Sequence, residues 1–278
     1  MFEKNPKLLS NKEIPEWMQD NPFILDQFRP TNLNLWECIL SLFQWHNQTL
    51  NIWTHLIGFV IILIKSDSFF TNQSDRLFDQ LMMSITFTGV TISLYCSFLY
   101  HTFNVGSSYE FSCFLTRIDY FGIIFHLMGC MITLVYFVYY FDSFRQLLFL
   151  SIFISLTFVC FAMNYFSMFS SMANHQMDST KRALIFISIA LISLPPQLEI
   201  FSNYPRKIIQ TSLTTDLLYL FAVLIYSSKC PERFFPGHCD LFSSHTIFHI
   251  LIIFTGLGSL QSLTLISDFQ LNKFRNKS

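Results

Sequence analysis

The stretch Ser243–Ile266, "SSHTIFHILIIFTGLGSLQSLTLI", sets His245 and His249 one helical turn apart at the mouth of a long apolar run. From Thr246 to Ile266 there is no Asp, Glu, Lys or Arg. A run of about 20 apolar residues is what a helix needs to cross hydrocarbon. Each imidazole carries two nitrogens, and a polar group left without a partner in an apolar medium costs roughly 2–7 kcal/mol. The pair therefore requires partners from elsewhere in the chain.

The rest of the sequence agrees with a membrane setting. Of 278 residues, 52% are hydrophobic, 18% aromatic and only 13% charged, with mean hydropathy +0.43. That is more apolar surface than a soluble domain of this length can bury. A net charge of −1 provides no basic field for nucleic acid. Seven apolar segments are predicted to span: about Thr49 to Lys65, Leu81 to Phe103, Ile118 to Phe141, Leu147 to Phe169, Ala183 to Phe201, Leu213 to Ser228 and Thr246 to Ile266. The expected class is an all-α integral, multi-pass membrane protein. Pro195 and Pro196 are expected to interrupt the fifth span.

Ahead of the first span, Leu35, Trp36, Ile39, Leu40, Leu42 and Phe43 recur at helical spacing, which suggests a short helix on the membrane surface or an inward extension of the first span. The expected organisation is an N-terminal segment over 1–32, an interfacial helix over 33–46, a seven-helix domain over 47–267 and a short tail over 268–278. The polar first ~35 residues show no secretory signal pattern. With seven spans, nine of the 17 Lys and Arg fall on the N-terminal face and eight on the other, so charge does not orient the chain. The sequon at Asn72, usable on the lumenal or outer side, leans toward a cytosolic N-terminus.

Segment parity places three further features together. "YCSFLYHTF" ends the second span with Ser97 and His101, "TRIDYFG" opens the third with Asp119, and "SSHTIFH" opens the seventh, all at one membrane face. Three neutral imidazoles with one open position suit a catalytic zinc. Asp119 would be the carboxylate that holds water or a ligand, and Ser97 a hydrogen-bonding group one turn before His101. The alternative is a set of hydrogen-bonded histidines with a structural aspartate. His55 is a competing ligand deeper in the first span, while His126 is expected to bond a neighbouring helix. His46, His175 and His238 fall in interfacial or loop regions and are expected to be solvated. The seven cysteines have no paired spacing and are expected to be small buried hydrophobes.

"IPEWMQDN", "FRP", "SLFQWHNQTLNIWTHLIGF", "YHT", "RIDYFGI" and "PERFFPGHCDLFSSHTIFHI" occur in an order that resembles the progestin and adipoQ receptor family, most closely its adiponectin receptors. The resemblance implies seven helices with the N-terminus cytosolic and a Zn2+ ion near that face. It places the metal on His101, His245 and His249, with Ser97 and Asp119 beside it. It also implies reception of an extracellular hormone and a ceramidase-like hydrolysis of a lipid amide, with a ceramide or fatty acid inside the helix bundle. Plasma membrane or secretory-pathway membrane would be the location. Steroid-type receptors and Golgi scaffolds of the family offer a non-catalytic alternative with structural zinc, and "SSH" resembles the scaffold branch. Two positions depart from the family pattern: Gln48 stands where an acidic residue is usual, and Thr246 where a Gln usually separates the histidines.

Overall fold

The computed structural model describes residues 7–66, 76–106, 108–170 and 191–276, with side chains throughout except within 163–170. The described residues form eight α-helices: α1 (Leu35–Ser41), α2 (Thr49–Ile64), α3 (Leu77–Phe103), α4 (Tyr109–Val138), α5 (Ser143–Ser170), α6 (Leu194–Asn203), α7 (Arg206–Ser228) and α8 (Ser244–Arg275). Among these residues there is no β-strand element, only isolated bridges of Leu9 with Phe28 and of Leu33 with Gly106. Five helices, α3, α4, α5, α7 and α8, are long and apolar enough to cross a membrane. At 16 residues, α2 is shorter but equally apolar. The first part of the predicted span 183–201 and the sequon at Asn72 lie outside the described residues. In the part that is described, helix gives way to a turn at Ser193, and α6 restarts with Pro195 and Pro196 in its first turn. There a missing N–H costs nothing.

The distribution of side chains is that of a bundle immersed in lipid. Phe144, Leu147, Phe158, Leu217, Leu224 and Phe254 are exposed, while Ser93, Thr86, Thr133, Thr255, Ser259 and Ser262 are buried. Hydrocarbon solvates apolar groups as well as another helix does, so close packing and internal hydrogen bonds hold such a bundle together. The α3–α4 seam shows both. A Cβ on Gly89 would meet the Phe125 carbonyl oxygen at 2.5 Å, and one on Gly129 would meet that of Ile85 at 2.8 Å. At the same crossing Thr86 Oγ1 donates to Gly129 O at 2.9 Å, and Thr133 Oγ1 donates to Met82 O at 2.6 Å. The last span, α8, packs against α2, α3, α4 and α7.

The helix α1 is separate from α2, so it does not extend the first span inward. An Asn34 capping box starts it, with Asn34 Oδ1 accepting from the Glu37 N–H at 3.0 Å and the Glu37 carboxylate accepting from the Asn34 N–H at 2.9 Å. Leu35, Trp36, Phe43 and Trp45 stand exposed along it and the turn that follows. This is the pattern of a surface-lying amphipathic segment.

The N-terminal segment folds over the end of the bundle that bears the histidines. A bridge between Leu9 and Phe28 closes it around Ile14, Ile24 and Phe28. Beyond it, Arg29 is fully buried and donates to His101 O at 2.7 Å, Thr102 O at 2.9 Å, Asn104 Oδ1 at 3.0 Å and Ser41 Oγ at 2.9 Å. A guanidinium here satisfies carbonyls left open at the C-terminus of α3 and meets the negative end of its dipole. Burial pulls its pKa down to about 10, so the charge persists at neutral pH.

Candidate metal centre

Three imidazoles meet where the end of α3 faces the start of α8. His101 comes from the last turn of α3, and His245 and His249 come from the first two turns of α8. His245 Nε2 lies 3.1 Å from His101 Nε2 and 3.0 Å from His249 Nε2. His101 and His249 are buried, and His245 is half-buried. The three candidate ligands predicted from the sequence are therefore brought together.

The outward nitrogens decide what the inward ones can do. His101 Nδ1–H donates to Gln48 Oε1 at 2.8 Å, an oxygen that also accepts from Asn51 Nδ2 at 2.9 Å. His249 Nδ1–H donates to the Asn51 carbonyl oxygen at 3.1 Å. A neutral imidazole carries one N–H, so Nε2 of both rings is a bare lone pair. A single proton on His245 Nε2 can face only one of them squarely. Nitrogen lone pairs about 3 Å apart repel unless a cation lies between, and in a tetrahedral zinc site with Zn–N of about 2.0–2.1 Å neighbouring nitrogens are about 3.3 Å apart. The donor set and its spacing thus fit a divalent, nitrogen-preferring metal such as zinc. Outer hydrogen bonds of this kind fix the tautomer of metal-binding histidines.

One face of α2 supplies that outer layer. Asn51, Thr54, His55 and Gly58 lie at i, i+3, i+4 and i+7, the spacing of a helix stripe. Asn51 also accepts from Thr246 Oγ1 at 2.7 Å, and a Cβ on Gly58 would meet Ile253 at 2.7 Å, so α2 and α8 are in close contact. Both departures from the family pattern find a use here, Gln48 holding His101 and Thr246 holding Asn51. Glu232, buried in the link before α8, accepts from the Ser244 N–H at 2.7 Å, from Asn21 Nδ2 at 2.9 Å and from Ser244 Oγ. A carboxylate at a helix N-terminus suits the dipole. The Leu25 and Asp26 N–H groups donate to Asp240 in the same link, at 3.2 and 2.8 Å. The N-terminal segment thereby ties the end of α3 to the start of α8.

Asp119 and Ser97 are placed beside the histidines rather than among them. Asp119, on α4, is 9% exposed and lines two adjoining spaces. One is a polar vestibule under the N-terminal segment, bordered by Asn21, Gln48, Asn104 and Lys229. The other is a mostly apolar cavity inside the bundle, bordered by Ser97, Leu127, Val223 and Ile252. Asp119, Tyr120, Tyr226 and His245 belong to both. Ser97 is buried one turn before His101 on α3.

The other histidines separate clearly. His126 bonds Tyr219 on α7, its Nε2 2.7 Å from the phenol oxygen. His55 does not join the converging nitrogens but stacks on His249, ring centroids 3.7 Å apart. His238 is exposed, and His175 lies outside the described residues. His46 is not solvated as expected: it is buried, with Nε2 3.1 Å from Ser41 O and Nδ1 accepting from the Gln48 N–H at 3.1 Å. Burial first and the Arg29 charge second hold its pKa at about 3, so it stays neutral and braces Gln48. Of the cysteines, Cys38, Cys130 and Cys160 are buried as expected, while Cys96, Cys113, Cys230 and Cys239 are half-buried.

The fold and site are those of a multi-pass helical membrane protein with a three-histidine centre near one end of its bundle. Residues 43–259 match the Haemolysin-III related family model. The chain is 30% identical over 270 residues to the human protein named progestin and adipoQ receptor family member 3, covering 89% of this chain and 82% of that one. It is 30% identical over 262 residues to the Drosophila melanogaster protein named adiponectin receptor protein, covering 91% of this chain and 58% of that one. With the Caenorhabditis elegans progestin and adipoQ receptor-like protein 1 it shares 27% identity over 281 residues, covering 98% of this chain and 64% of that one. The chain belongs to the Haemolysin-III related family and, within it, to the progestin and adipoQ receptor proteins.

The outer layer gives a direct prediction. Gln48→Leu removes the acceptor for His101 Nδ1–H and should weaken zinc binding about 10- to 100-fold, whereas Gln48→Glu, which still accepts, should keep it or strengthen it. Chelator competition on purified protein measures both. Unchanged affinity in Gln48→Leu would contradict the role given to this residue.

Proposed function

We propose that this chain is a seven-helix receptor of the adiponectin-receptor type that holds zinc on His101, His245 and His249 and hydrolyses a lipid amide such as a ceramide. Its N-terminus is cytosolic, its outer face receives an extracellular hormone, and it resides in the plasma membrane or a secretory-pathway membrane. Five long spans, the shorter α2 and the segment around 183–201 make up the seven. The observation that carries the enzyme reading is the meeting of a polar vestibule with an apolar cavity at Asp119 and His245. About half of the vestibule lining is polar, which suits water, and the cavity lining is mostly apolar, which suits an acyl chain, with Asp119 and His245 bordering both.

Zinc held by the three histidines supplies Lewis acidity toward a carbonyl and brings the acidity of water to near neutral pH. The remaining roles fall to the chain. The cavity wall of Leu127, Val223 and Ile252 takes the acyl chain and excludes water from it. Ser97 O–H donates to the amide oxygen as negative charge gathers there. Asp119 accepts a proton from the attacking water, whose oxygen forms the new bond to the carbonyl carbon, and returns that proton to the amine nitrogen as the C–N bond breaks. The products are a fatty acid and an amine.

Two measurements test this reading. Purified protein given labelled ceramide should release fatty acid, with Asp119→Asn about 100- to 10,000-fold slower and His249→Ala inactive. Equal slow release by wild type and His249→Ala would leave a non-catalytic receptor in which the metal only ties α3 to α8. For orientation, glycosylation at Asn72 is expected in cells, and cytosolic accessibility of the C-terminal tail would overturn the proposed topology.

A further inference from the structure

The residue that the mechanism above leaves unused is His55. It is 4% exposed, and neither ring nitrogen makes a hydrogen bond of normal geometry, although the His249 backbone lies close to the ring. An imidazole buried in this way carries a desolvation cost of about 1–3 kcal/mol for each unsatisfied group. Most buried polar groups have a partner, and those without one in the bare protein are candidates for meeting a ligand or water. The position is also confined. His55 stacks nearly parallel on His249, at 13° between planes and 3.7 Å between centroids, so it lies one ring thickness behind a metal-facing imidazole. It borders the apolar cavity together with Ser93, Ser97 and Asp119. Packing alone would be served by a phenyl ring, which stacks as well and has no nitrogens to desolvate.

We propose that His55 is a lipid-anchoring residue, which hydrogen-bonds a neutral donor–acceptor group, amide or hydroxyl, on the lipid that enters the cavity. A neutral imidazole offers one N–H and one lone pair, and both an amide and a hydroxyl can use either. In a cavity whose exposed wall is mostly apolar such a bond fixes how far the lipid slides, and so which of its bonds stands beside His245 and Asp119. The inference rests on the cavity being a lipid site, as proposed above, but not on turnover.

The test compares binding of two probes, an N-alkyl fatty amide without hydroxyls and a long-chain alcohol without an amide, to wild type, His55→Phe and His55→Gln in detergent. His55→Phe keeps a flat ring against His249 and should retain zinc and thermal stability while binding one or both probes about 3- to 10-fold more weakly. The probe affected identifies the group recognised. His55→Gln, which restores a donor and an acceptor, should recover at least part of the loss. Equal binding of both probes by wild type and a zinc-loaded His55→Phe would overturn the anchoring role while leaving the lipid site intact. Loss of zinc in His55→Phe, with His55→Gln binding the probes no better, would assign the residue to holding His249 and also overturn it. Failure of wild type to bind either probe would overturn the lipid site itself and the anchor with it.

Discussion

Three imidazole nitrogens converging within 4.8 Å, with His245 Nε2 3.1 Å from that of His101 and 3.0 Å from that of His249, are the constraint on which the rest of this structure turns. Such a cluster is unfavourable unless each ring is held in the tautomer that leaves its inner nitrogen bare and a cation lies between them. The chain meets the first condition for His101 and His249 from one helix face. Gln48 Oε1 and the Asn51 carbonyl take the outer protons of His101 and His249, and His46 and Thr246 hold these two residues in turn. The short helix α2 thus has a role that its length alone does not suggest: it is the wall against which two of the three converging rings are set.

A further requirement is positional. His101 sits at the end of one long helix and the pair at the beginning of another, where fraying would move the ligands. Both ends are fastened by buried charge. Arg29 satisfies the last carbonyls of α3, and Glu232 satisfies the first amide of α8. Each charge also meets the helix pole it complements. Removing either side chain leaves buried neutral groups unpaired, at about 1–3 kcal/mol for each. Much of the N-terminal segment is therefore part of the site's support, and its bonds to Glu232 and Asp240 connect the two fastened ends.

Much of this was legible in the sequence because it depends on period and parity. Apolar run length marked the helices, and counting spans put His101, Asp119 and the His245–His249 pair at one face. What period cannot report is which polar residue satisfies which, because that requires the crossing of helices distant in sequence. His46 illustrates the limit. In a polar stretch beside a span it reads as solvated, yet the fold of α1 against α2 buries it with two partners. Arg29 is similar, a lone basic residue in a polar segment whose importance depends on where α3 ends. The stripe Asn51, Thr54, His55 and Gly58 was a readable signal, since polar and small residues at helical spacing in an apolar helix mark a contact with another helix rather than with lipid.

The central claim is that these three histidines form a metal site with one position left for water or substrate. X-ray absorption at the zinc edge on the purified, detergent-solubilised protein addresses it most directly. The account predicts about one zinc per chain, with three imidazole nitrogens at about 2.0–2.1 Å, one further oxygen ligand and none from sulfur, and loss of that signal in His101→Ala. A wild type without zinc, or one whose zinc is bound through sulfur, would contradict it.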